Sequence, residues 1–220
     1  MNSRPLLLGH RGCRGHRYRV HENTIEAFDV ALKQGCDGFE FDVRLTSDGA
    51  AVICHNDKFG KTIISKVSAG QLPALPLLEK IFEKYADRAF LDIELKVPGL
   101  EFCLLSALSQ YPPGRGYVVS SFLPEVLTDL RQRSDSIPLG IICETRRQLA
   151  SWPSLPIQFV IAKQSLVTPR LIGEIHDHGE KIFVWTVNRK SSMLRLARWG
   201  IDGIISDKAD LLCTTVQREC

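Results

Sequence analysis

Two strand-like runs carry acids where a buried strand would carry only apolar residues. In Phe39-Glu40-Phe41-Asp42-Val43-Arg44, side chains alternate between two faces. Glu40, Asp42 and Arg44 therefore share one face, and Phe39, Phe41 and Val43 the other. Leu91-Asp92-Ile93-Glu94-Leu95-Lys96 repeats the device, with Asp92, Glu94 and Lys96 opposite three aliphatic residues. If the apolar faces pack on helices, Glu40, Asp42 and Glu94 converge. Three carboxylates crowd together only if they are protonated, paired or bridged by a cation. Two solutions fit: a salt-bridge network closed by Arg44 and Lys96, or a single hard divalent ion, Mg2+ or Ca2+, which takes oxygen ligands. Zinc suits the set less well, since no histidine belongs to it.

Two histidines stand at the ends of other β-rich runs: His10 after Leu6-Leu7-Leu8-Gly9, and His55 after Ala51-Val52-Ile53-Cys54. A pair of imidazoles titrating near neutrality can serve as general base and general acid. Arg11 and Lys96 would suit the non-bridging oxygens of a phosphate, the arginine gripping two at once. Ser121 is a further candidate phosphate contact. His176 and His178 read as helix-end residues favoured by the dipole, Trp152 and Trp199 as packing, and Arg14, His16, Arg17 and Arg19 as a solvated basic loop.

The elements that must position these groups follow an alternating order. Strands are expected at Leu6–His10, Gly38–Val43, Phe90–Leu95, Tyr117–Ser121, Leu139–Cys143, Gln158–Ala162, Ile182–Val187 and Gly203–Ser206. Helices are expected from Asn23 or Thr24 to Lys33 and from Leu77 to Tyr85, with more between the later strands. The turn Thr46-Ser47-Asp48-Gly49 folds the 51–55 run back on the second strand. Eight strand–helix units imply a (β/α)8 TIM barrel, an α/β fold whose catalytic groups sit at the carboxyl ends of the strands. The glycine fingerprint of a dinucleotide-binding open sheet is missing after the first strand.

Composition agrees. The 220 residues, 44% hydrophobic and 24% charged, predict one domain over 1–220. A net charge of +3 without a basic block gives no footprint for nucleic acid. The three leucines near the start are too few for a signal-peptide core, and no run approaches the ~20 apolar residues of a membrane span. Stable membrane insertion is therefore not expected. Seven cysteines without a Cys-x-x-Cys pair predict reduced thiols in a cytoplasmic protein.

The ordered motifs Gly9-His10-Arg11-Gly12, His21-Glu22-Asn23-Thr24, Glu40-Phe41-Asp42-Val43, Thr46-Ser47-Asp48-Gly49, His55, Glu94-Leu95-Lys96, Ser120-Ser121-Phe122, Trp185-Thr186-Val187-Asn188 and Ile204-Ile205-Ser206-Asp207 resemble the glycerophosphodiester phosphodiesterase family across essentially the whole chain. The resemblance implies hydrolysis of glycerophosphodiesters to sn-glycerol 3-phosphate and an alcohol, by attack of the glycerol 2-hydroxyl on phosphorus and opening of the cyclic phosphate by water. It implies Glu40, Asp42 and Glu94 as ligands of one divalent cation, and His10 and His55 as the acid/base pair. Arg11 and Lys96 would contact phosphate, and Trp185 would line the substrate cleft.

Three positions depart from the family's habit. His21 and Ala209 replace prolines, and Asn56 separates His55 from Asp57. The 56–76 segment looks short for the insertion after the second strand, predicting a compact barrel with a reduced lid. A lysophospholipase D-like activity and a non-catalytic phosphate-ester binding barrel are the alternatives. The preferred alcohol and the oligomeric state are left open.

Overall fold

The computed structural model describes residues 4–14 and 20–216. Leu6–His10 forms β1, Ile25–Lys33 α1 and Gly38–Leu45 β2. After β2 the chain folds back as β3 (Ala51–Ile53), antiparallel to it with Val43 opposite Ile53. A hairpin of two-residue strands, β4 (Lys58–Phe59) and β5 (Thr62–Ile63), and two single 3-10 turns lead to α2 (Leu78–Tyr85) and β6 (Phe90–Leu95).

Helix and strand then alternate: α3 (Glu101–Gln110), β7 (Tyr117–Ser121), α4 (Pro124–Arg133), β8 (Leu139–Cys143), α5 (Arg146–Leu149) and β9 (Phe159–Lys163), followed by α6 (Pro169–His178), β10 (Lys181–Trp185), α7 (Lys190–Arg198), β11 (Gly203–Ser206) and α8 (Ala209–Val216). Strands β1, β2 and β6 to β11 pair in parallel in sequence order, and β11 returns to β1. Eight parallel strands thus close a (β/α)8 barrel, with β3 outside it. The expected element order holds throughout. Residues 58–76 carry the hairpin and the 3-10 turns, fastened beneath by Ile64 and Leu72 against Val52.

The period-two pattern decides what each strand buries. Phe39 and Phe41 of β2 point outward into an aromatic cluster with Phe28 of α1 and Tyr85 of α2, the Phe28 and Phe39 rings stacking at 4.2 Å. Leu91, Ile93 and Leu95 of β6 join the same layer between strands and helices. A second apolar cluster, built on Leu8, Phe90, Val118, Phe159, Phe183 and Ile205, fills the barrel interior. Full burial of such a side chain is worth roughly 1.5–3 kcal/mol, so both layers hold the strands in a fixed register. Close approach demands glycine at residue 38, where a Cβ would fall 1.9 Å from the Phe90 carbonyl oxygen. Among the described residues, no helix is long and apolar enough to cross a membrane.

Candidate active site

Above the apolar floor, at the carboxyl ends of the strands, lies a cavity of about 320 Å3. One wall, from β1, β2 and β6 and the chain after β3, presents His10, Arg11, Glu40, His55, Asp92, Glu94 and Lys96. The other, from β7 to β11, presents Phe122, Ile142, Ile161, Trp185 and Ile205, with Glu144. The six catalytic, metal and phosphate candidates other than Asp42 therefore share one cavity with Trp185. Asp42 itself is buried behind it, within ligand-atom reach of its partners: oxygens of Glu40, Asp42 and Glu94 all lie within 4.8 Å of one another.

Local backbone geometry builds this wall. Arg11 and Asn23 both adopt left-handed conformations, with φ of 53° and 58°, which non-glycine residues seldom do. The turn lets the Arg11 N–H donate to Glu40 Oε2 at 2.9 Å while its carbonyl accepts from the Asn23 N–H at 3.0 Å. Asn23 Nδ2 then donates to Asp42 Oδ2 at 2.8 Å. Gly12, with φ 82°, fits where a Cβ would sit 2.7 Å from the Ala27 carbonyl carbon.

The acids are short of positive charge. Lys96 Nζ lies 2.5 Å from Glu94 Oε1 and 3.3 Å from Asp42 Oδ1, and Arg11 Nε lies 3.3 Å from Asp42 Oδ2. Burial opposes ionisation of Asp42, but these two cations and Asn23 outweigh it and hold the carboxyl below its ordinary value. Its neighbours gain less. Burial, then the charges of Asp42 and Glu94, push Glu40 well upward. Burial pushes Asp92 and, with Asp42, Glu94 up to about 7. Glu40 Oε1 and Asp42 Oδ1 are buried without a hydrogen bond. Orphaned oxygens in an under-neutralised acidic cluster fit a hard divalent cation, with Lys96 already contributing one positive charge there. Of the two cations in the salt-bridge alternative, Lys96 pairs with the acids, whereas Arg44 shares the face but donates from Nε and Nη2 to the His55 carbonyl, at 2.9 and 2.7 Å.

Each histidine has one nitrogen committed. His10 Nδ1 lies 2.7 Å from Asp207 Oδ1 and its Nε2 3.8 Å from Glu40 Oε2. A carboxylate only accepts, so Nδ1 carries the proton. His55 Nδ1 contacts Asn56 Oδ1 at 3.0 Å, which assigns its proton in the same way. Burial lowers the His55 pKa, Asp42 and Asn56 opposing it. Asp207 is itself fixed by Arg14 Nε and Asn188 Nδ2, both at 2.7 Å, while Arg14 and Arg11 share Glu22.

Comparison with known proteins identifies the family. The model of the glycerophosphoryl diester phosphodiesterase family matches residues 10–85 and 104–211. A glycerophosphodiester phosphodiesterase of Caldanaerobacter subterraneus is 30% identical over 98% of this chain and 99% of its own length. The chain belongs to the glycerophosphodiester phosphodiesterase family. It is accordingly a phosphoric diester hydrolase. A second relative, a putative glycerophosphodiester phosphodiesterase of Bacillus subtilis, is 30% identical over 94% of this chain and 96% of its own. Among solved structures, a putative family member from Silicibacter pomeroyi superposes with a TM-score of 0.88 at 21% identity, covering 100% of this chain and 95% of that one. An Oleispira antarctica phosphodiesterase in complex with the product sn-glycerol-3-phosphate gives 0.86 at 24% identity, covering 97% of each.

Two of the three departures from the family's usual motifs make local contacts, and nothing in the structure explains Ala209. Asn56 supplies the acceptor that orients His55. The His21 carbonyl accepts from Thr24 Oγ1, the hydroxyl that caps α1 by accepting from the Ala27 N–H. Ser121 is not a phosphate contact: its hydroxyl donates to the Leu95 carbonyl and accepts from the Leu123 N–H. His176 and His178 pair with Asp202 and Glu180, and His16, Arg17 and Arg19 lie outside the described residues. Arg14, expected in a solvated basic loop, is instead tied to Asp207 and Glu22, and Asp207, Asn188 and Asn23 are supporting groups to which the sequence assigned no role, although all three stand in the ordered motifs.

Proposed function

We propose that the chain hydrolyses glycerophosphodiesters to sn-glycerol 3-phosphate and an alcohol with a divalent cation, Mg2+ or Ca2+, and His10 and His55 as the acid/base pair. One observation carries this reading: His10, His55, Glu40, Glu94, Arg11 and Lys96 border a single cavity, and Asp42 lies buried behind it with a carboxylate oxygen within 4.8 Å of those of Glu40 and Glu94. Glu40, Asp42 and Glu94 would hold the cation, which when bound supplies a positive charge for phosphate oxygens and a lowered pKa for a nearby hydroxyl. Arg11 and Lys96 bind the non-bridging oxygens, and Trp185, held by its indole N–H on the Ile161 carbonyl at 3.2 Å and edge-on to Phe122, orients the substrate's carbon skeleton.

His55, kept neutral by burial, accepts the proton of the glycerol 2-hydroxyl as that oxygen bonds to phosphorus. His10, with its Nδ1–H held on Asp207 and a second proton on Nε2 in the substrate complex, gives that Nε2 proton to the departing alcohol oxygen as its bond to phosphorus breaks. A water molecule then opens the cyclic phosphate with the two roles exchanged, leaving the phosphomonoester. Each positioned imidazole contributes roughly 10²–10⁴-fold, and an attacking hydroxyl within the substrate avoids the entropy cost of fixing a second reactant. Residues 1–220 act as one catalytic domain in this reading, and the seven cysteines without paired spacing support a reducing, cytoplasmic setting.

The test is turnover of glycerophosphoethanolamine and glycerophosphocholine with and without EDTA, and in His10→Ala and His55→Ala. Loss in all three supports the proposal. Turnover that survives EDTA or either substitution overturns it, and binding without turnover indicates a non-catalytic phosphate-ester barrel. The apolar wall of Ile142, Ile161 and Ile205 favours a second reading, lysophospholipase D-like activity, which predicts higher kcat/KM on lysophosphatidylcholine than on glycerophosphocholine.

A further inference from the structure

Four large hydrophobic side chains are exposed among the described residues: Phe59 (43%), Ile63 (40%), Leu77 (38%) and Phe102 (80%). All four lie on chain that leaves the carboxyl ends of β2 and β6, the end of the barrel that carries the candidate site. Leu77 bridges to Val52 of β3. Phe102 opens α3 beside Cys103, whose Sγ contacts the Gly49 carbonyl oxygen at 3.3 Å in the β2–β3 turn. Phe59 and Ile63 belong to the β4–β5 hairpin, four and eight residues beyond His55 in the chain. An apolar set gathered on one end of a molecule marks an interaction surface.

The hairpin stands clear of the body. Residues 56–61 are all exposed, and its attachment is Ile64, buried next to Val52 and Leu72. Lys58 lies opposite Ile63 in the register, and Phe59 opposite Thr62, so an apolar side chain is offered on each face. Lys58, Lys61 and Lys66 are exposed on the same stretch, against Asp57 as its one acid.

We propose that this hairpin docks the mouth of the barrel on an anionic phospholipid surface. Apolar residues interleaved with lysines suit the boundary between headgroups and acyl chains, where the lysine stems lie along apolar surface and their ammonium groups meet phosphate. Charge selects this occupant. A second copy would set three lysines against three, whereas an anionic bilayer attracts them all. The proposal goes beyond the chemistry of the site and does not depend on it, because none of residues 56–76 lines the cavity.

The test is sedimentation with phosphatidylglycerol–phosphatidylcholine vesicles and with pure phosphatidylcholine vesicles at low salt. The protein should partition onto the mixed vesicles alone and be released by high salt. Each juxtamembrane lysine contributes about fivefold to partition, so Lys58→Ala/Lys61→Ala should lower it about 25-fold. Phe59→Ser/Ile63→Ser should lower it at least about tenfold without changing the charge. Both variants should turn over soluble glycerophosphoethanolamine like the parent, which shows that they are folded. Absence of the parent from mixed vesicles, equal partition of parent and variants, or a concentration-dependent dimer abolished by Phe59→Ser would overturn the proposal.

Discussion

Replacing Asp207 with asparagine tests whether the long-range network around His10 holds its imidazole for chemistry. Asp207 Oδ1 accepts from His10 Nδ1 and Arg14 Nε, and Oδ2 from Asn188 Nδ2, each at 2.7 Å. The Asn188 side-chain oxygen in turn accepts from the Asp207 N–H at 3.0 Å and from Ser206 Oγ at 3.1 Å. An amide of the same shape offers one acceptor and one donor. In either orientation its NH2 meets donors, from His10 and Arg14 on one side or from Asn188 on the other. If the ring loses its acceptor, Nδ1–H is no longer anchored, and the fixed aim of Nε2 into the cavity is lost with it.

A hydrogen bond to a charged group contributes about 1.5–3 kcal/mol net, so Asp207→Asn should destabilise the fold by about 3 kcal/mol. That corresponds to a fall in Tm of roughly 6–12 °C for a chain of this size. On glycerophosphoethanolamine kcat should fall roughly 10²–10⁴-fold. Because Asp207 does not line the cavity, KM should stay within about threefold of the parent, since binding and positioning are separable effects. Acid adds a second readout. Burial opposes ionisation of Asp207, yet the bonds from His10, Arg14 and Asn188 win and hold the carboxyl far below its ordinary range. A depressed pKa means that this stability is present above the unfolded value, about 3.9, and is lost as pH falls through and below it. The Tm gap between parent and Asp207→Asn should therefore narrow from pH 5 to pH 3. A kcat within threefold of the parent, or a gap that does not narrow, would refute the reasoning.

Mg2+ or Ca2+ should raise the Tm of the parent and leave that of Glu94→Gln nearly unchanged, because the substitution removes one of three proposed ligands and much of the charge that demands a cation; thermal denaturation with and without EDTA reads this directly. Trp185→Ala should raise KM for glycerophosphodiesters about tenfold with a smaller change in kcat, as expected when a wall of the substrate cleft is deleted without touching the acid/base pair. Tyr85 lies outside the site and separates stability from activity. Its fully buried hydroxyl lies 3.0 Å from the Ile25 carbonyl and 2.9 Å from Asp29 Oδ1, so Tyr85→Phe should cost about 1–2 kcal/mol, measured by urea denaturation, with kcat and KM unchanged.

What the sequence made legible depended on the range over which its rules act. The period of two is local, and it put Glu40, Asp42 and Glu94 inside the barrel and the phenylalanines of β2 outside, as found. Arg44 obeys the same period, but its long side chain reaches the His55 carbonyl at the rim and leaves the acids to Lys96 and Arg11. Nothing in residue type distinguishes those two destinations. The β4–β5 hairpin escaped for the opposite reason: strands of two residues, exposed on both faces, leave no hydrophobic pattern to read. Asp207 is the instructive omission. It is 197 residues from His10, yet it directly follows β11, and a closed barrel makes the last strand the neighbour of the first, with Gly9 opposite Ser206. Once eight strand–helix units are counted, closure brings the polar end of β11 beside His10. The two groups meet because the sheet has no edge, so a change that opened the β1–β11 pairing should weaken the His10–Asp207 contact even with every residue of the site intact.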